Sequence, residues 1–213
     1  MSTTSATAAS ELLDRLAIRE LAENWIVYRD TRDWERFLEV WHEDGSLMTT
    51  WGGRASPQSF TEAATRGYAQ GDRAIHANGG TAVQLAGDRA IGQTKLRIMQ
   101  RGMVEGVECD VTCLGRSYDF YERREGRWGL VLRQVIYERD SIATVDPNAT
   151  VTLDPDRLAR FPQGYARLAY LQEGLGHKIT ADMPTAEGPR LDALVEQGRS
   201  WLDGGPLTWG QSI

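Results

Sequence analysis

The stretch VYRDTRDWERFLEVWHEDGSL, residues 27–47, carries two aspartates three positions apart, Asp30 and Asp33. Asp33 stands immediately before an apolar-periodic segment that begins at Trp34. A side-chain oxygen there accepts from the free N–H groups of a first helical turn, so Asp33 is expected to be a cap. Asp30 has no such role. It lies four residues after Ile26 and continues the inward series Ile18, Ala22, Ile26, where the pattern calls for an apolar side chain. It also falls at a helix C-terminus, where the macrodipole disfavours a carboxylate by ~0.3–1 kcal/mol. An inward carboxylate needs a cationic or N–H partner. A neighbouring arginine, Arg29 or Arg32, is one source; a helix end that reaches water removes the need; a histidine is another.

The sequence has three histidines. His42 follows the second helical segment beside Glu43 and Asp44 and is expected at the surface, complementing a helix C-terminus. His177 lies in the C-terminal stretch. His76, in DRAIHANGG, stands between a helix and the first long strand, flanked by Ile75 and Ala77, at the mouth or wall of the concavity in a helix-on-sheet domain. Tyr28, Tyr118 and Tyr137 are candidate acids or hydrogen-bond donors, or core aromatics with the hydroxyl at the rim.

The elements that must position these residues follow from hydrophobic period. Ser10 to Asp30 has helical spacing, with Leu13, Ala17, Leu21, Trp25 and Tyr28 on one edge of the stripe. A second helix is expected from Trp34 to about His42, with Phe37, Leu38 and Trp41 inward. A short strand and a Gly-Gly turn lead to a third helix, with Ser56 as cap, Pro57 at its first position and Gly71 at its end. After Gly80 come long strands beginning with TAVQL, joined by AGDR, RGMVEG and REGR, whose turn chemistry suits hairpins. Helices followed by an antiparallel meander indicate an α+β domain, three helices on one face of a curved sheet. The domain is expected over 1–145. Residues 146–213 read as a helical extension too small for its own core, packing across the pocket mouth or clasping a second subunit.

Composition narrows the partners. A net charge of −6 without a basic cluster argues against nucleic acid. No apolar run is long enough to span a bilayer. The opening MSTTSATAAS lacks the features of a secretory signal and reads as a loose tail. Cys109 and Cys113, roughly 13 Å apart on one strand, are too distant for a disulfide and read as core residues of a cytoplasmic protein. No His-x₃-His or Cys-x₂-Cys spacing suggests a metal, and no cofactor is expected.

Taken together, the first helix ending in Asp, the histidine of AIHANGG, the turn AGDRAIG and the hairpin GRSYDFYERREGRWGLVLRQVIYERD resemble the SnoaL-like branch of the nuclear transport factor 2-like superfamily. The resemblance covers about Leu12 to Asp140. It implies a cone-shaped α+β barrel around an apolar pocket. In its dehydrochlorinase-like enzymes an Asp at the end of helix one orients a His base, and the matching residues here are Asp30 and His76. An arginine on the last strand matches Arg133, which would steady negative charge on an enolate or leaving oxygen. The lysine those enzymes have on helix one is replaced by Trp25.

These readings lead to a cofactor-independent lyase or isomerase of dehydratase, elimination or retro-aldol type, acting on a hydrophobic, aromatic small molecule. Asp30, His76 and Arg133 are the catalytic candidates, and Trp25, Tyr28, Trp41, Tyr118 and Tyr137 the substrate-binding ones. A homo-oligomer, dimer or trimer, is expected from a sheet face left bare by the helices. The competing reading is a non-catalytic binding module or the small subunit of a ring-hydroxylating oxygenase.

Overall fold

The computed structural model describes residues 3–210, with side chains from residue 8 onward. Helix α1 (Thr3–Thr31) leads into a short α2 (Trp34–Glu39), and strands β1 (Trp41–Thr49) and β2 (Gly53–Ala55) precede α3 (Pro57–Ala69). Four long strands follow: β3 (Arg73–Ala86), β4 (Arg89–Val104), β5 (Val107–Arg124) and β6 (Arg127–Thr144). The remainder carries α4 (Pro155–Leu158), α5 (Ala166–Gly174) and α6 (Pro189–Leu202).

The strands form one curled, unclosed sheet in the order β2-β1-β6-β5-β4-β3, antiparallel except where β1 runs parallel to β6. Two of its hairpins turn on Glu-Gly pairs with both residues at positive φ, Glu105 (48°) with Gly106 (80°) and Glu125 (51°) with Gly126 (81°). That is the type I′ geometry whose twist matches the flanking strands. Gly115 sits at a bulge between β5 and β6, where a Cβ would strike the backbone carbonyl of Ile136.

Several elements begin or end elsewhere than the sequence suggested. The first ten residues are helical from Thr3 rather than loose; residues 1 and 2 lie outside the described residues. Leu13 and its neighbours Leu12 and Leu16 are exposed, so the buried stripe of α1 starts at Ile18. Helix α2 stops at Glu39, and Trp41 and His42 belong to β1. His42 is therefore not at the surface: it is buried, donates from Nε2 to the Glu122 carbonyl (2.8 Å) and accepts at Nδ1 from Arg127 (3.2 Å). Burial, followed by the charges of Arg124 and Arg127, lowers its pKa although the Glu122 carbonyl opposes this. Strand β3 begins at Arg73, because Gly79 and Gly80 form a bulge inside the strand rather than its start. His76 is consequently a strand residue, paired with Ile98.

The extension divides between the two faces of the sheet. Strand alternation sends Ser117, Asp119 and Tyr121 to the concave face and Tyr118 and Phe120 to the convex one. Helix α5 covers the concave side at the β4–β6 end, with its first N–H groups, Arg167 and Leu168, held by the buried carboxylate of Asp140 (2.6 and 2.9 Å). Helix α6 packs on the convex side, where Gly198 lets the Tyr118 hydroxyl approach its backbone and Trp201 meets Phe120 edge-on at 6.2 Å. The face that the sequence left for a second subunit is thus occupied over β5 by the chain's own helix. Among the described residues no helix is long and apolar enough to cross a membrane.

Candidate active site

Helix α1 ends in a Schellman motif. The Asp33 N–H reaches back to the Tyr28 carbonyl (2.9 Å) and the Arg32 N–H to that of Arg29 (3.3 Å), with Arg32 at φ 60°. Asp33 then caps α2 through the Arg36 N–H, as expected (3.4 Å). The motif leaves Asp30 in the last helical turn, facing β3. There its Oδ2 accepts the backbone N–H of His76 (2.6 Å) and its Oδ1 pairs with Nδ1 of the same ring (2.9 Å). Arg29 is the third donor to the carboxylate, reaching Oδ1 at 3.0 Å, and also donates to the Ala74 carbonyl at 2.6 Å.

The electrostatics of this group are one-sided. Burial, then the charge of Arg29, lowers the His76 pKa to about 4, against the pull of Asp30. For Asp30, burial alone would raise the carboxyl; the hydrogen bond to the ring, the proximity and N–H of His76, and Arg29 outweigh it and the pKa falls. At neutral pH the pair is a carboxylate beside a neutral imidazole that donates from Nδ1. The other nitrogen, Nε2, is left as a base.

Both residues line a cavity of about 90 Å³ enclosed by α1, α3, α5 and the concave face of the sheet. That space is small beside the ~300–1,000 Å³ of sites for drug-sized ligands. Of the side chains singled out from the sequence, Trp25, Asp30, His76, Arg133 and Tyr137 line it. Trp25 meets the His76 ring edge-on at 6.0 Å. Tyr137 is fully enclosed, and burial pushes its phenol far above the usual value, so it is a neutral hydrogen-bond donor.

Three expected contacts are absent. Tyr28 is on the other flank of α1, in a groove with Arg127 and Trp128. Trp41 packs behind Phe37 at 6.1 Å, a consequence of starting β1 and not ending α2. Tyr118 points to the convex face because its neighbour Asp119 points inward.

Arg133 is inward, but its charge is already matched. It makes a bidentate pair with buried Asp119 (Nε–Oδ1 2.9 Å, Nη2–Oδ2 2.7 Å) and lies 4.2 Å over the Trp25 ring. Ser117 and Tyr121 also donate to that carboxylate (2.9 and 3.2 Å).

Several cavity residues escaped the sequence reading. Thr50 donates to the Gln172 Oε1 at 2.6 Å, and Gln172 donates to the Gln100 Oε1 at 3.0 Å, tying the turn after β1, α5 and β4 together. Asp72 and His177 form a second Asp–His contact, Nε2 to Oδ2 at 2.7 Å, in the same cavity wall. No local pattern marks Asp72, which reads as the polar residue after a Gly turn, and His177 sits in the extension. Among the described residues no three His, Cys, Asp or Glu side chains converge as metal ligands.

Comparison with known proteins settles the family. The model for the SnoaL-like domain matches residues 10–134, over half of the chain. The chain belongs to the SnoaL-like family. Two relatives from Fusarium vanettenii, a PEP2-like protein and pea pathogenicity protein 2, are each 37% identical; the alignments span 91% and 90% of this chain and 87% of each relative. A type 2 hexachlorocyclohexane dehydrochlorinase (LinA) shares the fold with a TM-score of 0.55 at 19% identity, covering 70% of this chain and 97% of that one. A putative scytalone dehydratase from Novosphingobium aromaticivorans gives 0.51 at 16% identity, over 70% and 98%. The SnoaL-like match stops one residue after Arg133, so Tyr137, Gln172 and His177 are cavity residues supplied from beyond it.

Proposed function

We propose that this SnoaL-like protein is a cofactor-independent lyase. It takes a proton from carbon beside a carbonyl and expels water or another small group from an aromatic substrate. The double hold of Asp30 on His76 carries the reading: one carboxylate fixes the ring's tautomer and its strand position, and leaves a neutral Nε2 in the cavity wall. Tyr137, kept protonated by burial, donates to the carbonyl oxygen and so steadies the enolate charge, a task the sequence reading gave to Arg133. The dehydrochlorinase and the putative dehydratase that share the fold are both named for eliminations, which supports the same class.

The test is exchange of α-hydrogens of 3-hydroxy-1-phenylpropan-1-one into D₂O, together with its loss of water. His76→Ala should lower both by about 10²–10⁴-fold, the usual worth of a positioned base. Rates within a few-fold of the unaltered protein would move the base elsewhere.

A second reading, a non-catalytic small-molecule binder, is favoured by one observation. The buried cation of Arg133 is neutralised by Asp119 and so adds little to holding an enolate. Under that reading the ketone binds without exchange.

A further inference from the structure

The cavity wall holds two Asp–His contacts, and they present opposite ring nitrogens. Asp30 takes Nδ1 of His76 and leaves Nε2; Asp72 takes Nε2 of His177 and leaves Nδ1. The two histidines arrive from different parts of the chain by different routes. His76 is a mid-strand residue of β3, within the SnoaL-like match. His177 is delivered by the end of α5, where the His177 N–H bonds the Gln172 carbonyl (3.0 Å) and the Gly176 N–H that of Glu173 (3.0 Å). Gly176 lies at φ 91°, so this is a Schellman turn like the one that ends α1. The turn sets the His177 ring against Trp51, with centroids 5.2 Å apart.

We propose that His177, held by Asp72, is the proton donor to the leaving group, acting across the cavity from His76. The proposal rests on the lyase reading above and adds the second half of its chemistry. The step requires His76 with Nε2 free and His177 carrying a proton on each nitrogen, Nε2–H on Asp72 and Nδ1–H toward the leaving oxygen. The α C–H breaks and its proton goes to His76 Nε2. The electron pair is held first as an enolate, whose reversal exchanges the α-hydrogen with solvent. As the carbonyl re-forms, that pair becomes the new C=C bond, the Cβ–O bond breaks toward oxygen, and that oxygen takes the Nδ1 proton of His177 and departs as water. His177 is left neutral with Nε2–H still on Asp72. Solvent then resets both rings.

Three features favour His177 over the other donors in the wall. Tyr137 is the alternative acid, but burial raises its phenol far above the neutral range, so proton loss from it is unfavourable. Arginines do not give up a proton in proteins. The His177 side chain is 18% exposed against 9% for His76, so it can be reprotonated from water between turnovers. A purely mechanical role is less needed, because the segment that follows is already fastened: the Thr180 N–H bonds the Thr50 carbonyl at 2.6 Å and the Tyr137 N–H the Pro184 carbonyl at 2.9 Å.

The experiment compares two ketones that give the same product, phenyl vinyl ketone. 3-Hydroxy-1-phenylpropan-1-one must have its leaving oxygen protonated; 3-chloro-1-phenylpropan-1-one loses chloride, which needs no proton. His177→Gln keeps an N–H for Asp72 and cannot serve as an acid. It should lower water loss by about 10²-fold or more, yet leave α-hydrogen exchange and chloride loss within a few-fold, at an unchanged thermal midpoint. Unchanged water loss overturns the proposal, and so does an equal fall in all three rates, which is the mark of a structural role. Absence of exchange in the unaltered protein sinks the lyase reading and this proposal together. Exchange without the leaving-group pattern sinks this proposal alone.

Discussion

The Asp30 carboxylate holds His76 at two points, the backbone N–H through Oδ2 at 2.6 Å and the ring through Oδ1 at 2.9 Å. A side chain at the end of one helix therefore fixes both where a strand lies and how its histidine is oriented.

Asp30→Asn should separate these effects from simple packing. The amide has the same shape but a single acceptor atom, whereas the site presents two N–H groups from His76 and one from Arg29. At least one buried donor is then unmatched, at a cost of about 1–3 kcal/mol. Urea denaturation should show the loss, and ¹⁵N NMR of the imidazole should show a changed mixture of tautomers. An unaltered tautomer would mean that the ring is held by its packing against Trp25.

Acid should destabilise the fold from well above the usual carboxylate range. His76 binds its proton near pH 4 when folded and near 6.5 when unfolded, so the unfolded chain takes up more protons between those values. Stability falls as pH drops through that window, by on the order of 3 kcal/mol in all. Asp30, whose folded pKa is lowered, adds a loss only below about pH 4. NMR titration of the His76 ring should give a midpoint near 4; a midpoint at or above 6.5 would show that burial does not disfavour the charged ring, and the acid sensitivity expected from it would be absent.

Removing one partner of the Arg133–Asp119 pair should be severe and removing both mild. Both side chains are almost wholly enclosed, so Arg133→Met leaves the carboxylate without its counter-charge, held only by Ser117 and Tyr121, at a cost of about 3–5 kcal/mol. Arg133→Met with Asp119→Leu removes the orphan charge and should recover most of it. Denaturant midpoints of the two single variants and the double variant decide this. A double variant no better than the worse single would place the energy in the hydrogen bonds of Ser117 and Tyr121.

The seat of α6 can be tested at one glycine. A Cβ at Gly198 would run into the Tyr118 ring, so Gly198→Val should lift the helix and cost about 1–3 kcal/mol. The effect should be confined to the convex face, with the His76 resonances unmoved. Chemical-shift changes at His76 would show the two faces to be mechanically coupled.

The inward placement of Asp30 was legible because helical period alone assigns it to the Ile18–Ala22–Ile26 series, and a carboxylate there breaks the pattern. The long hairpins were legible from their Glu-Gly turns. Other positions were not. Tyr118 and Asp119 differ only in strand parity, and nothing in SYDFY says which residue faces in until register is known. Gly79 and Gly80 looked like a strand boundary because a bulge and a turn use the same residues. Asp72 and His177 meet across 105 positions of chain, a contact with no local signature.

One consequence of the divided extension concerns synthesis. Helix α6 begins some 45 residues after β6 ends. At ~5–20 residues per second a ribosome delivers it roughly 2–9 s after the last long strand. Through that interval Tyr118 and Phe120 have no cover, and for the earlier part of it the cavity also lacks Leu168, Gln172 and His177. The nascent chain therefore passes through a stage with a bare aromatic face, the kind of surface that chaperones bind and aggregates grow from.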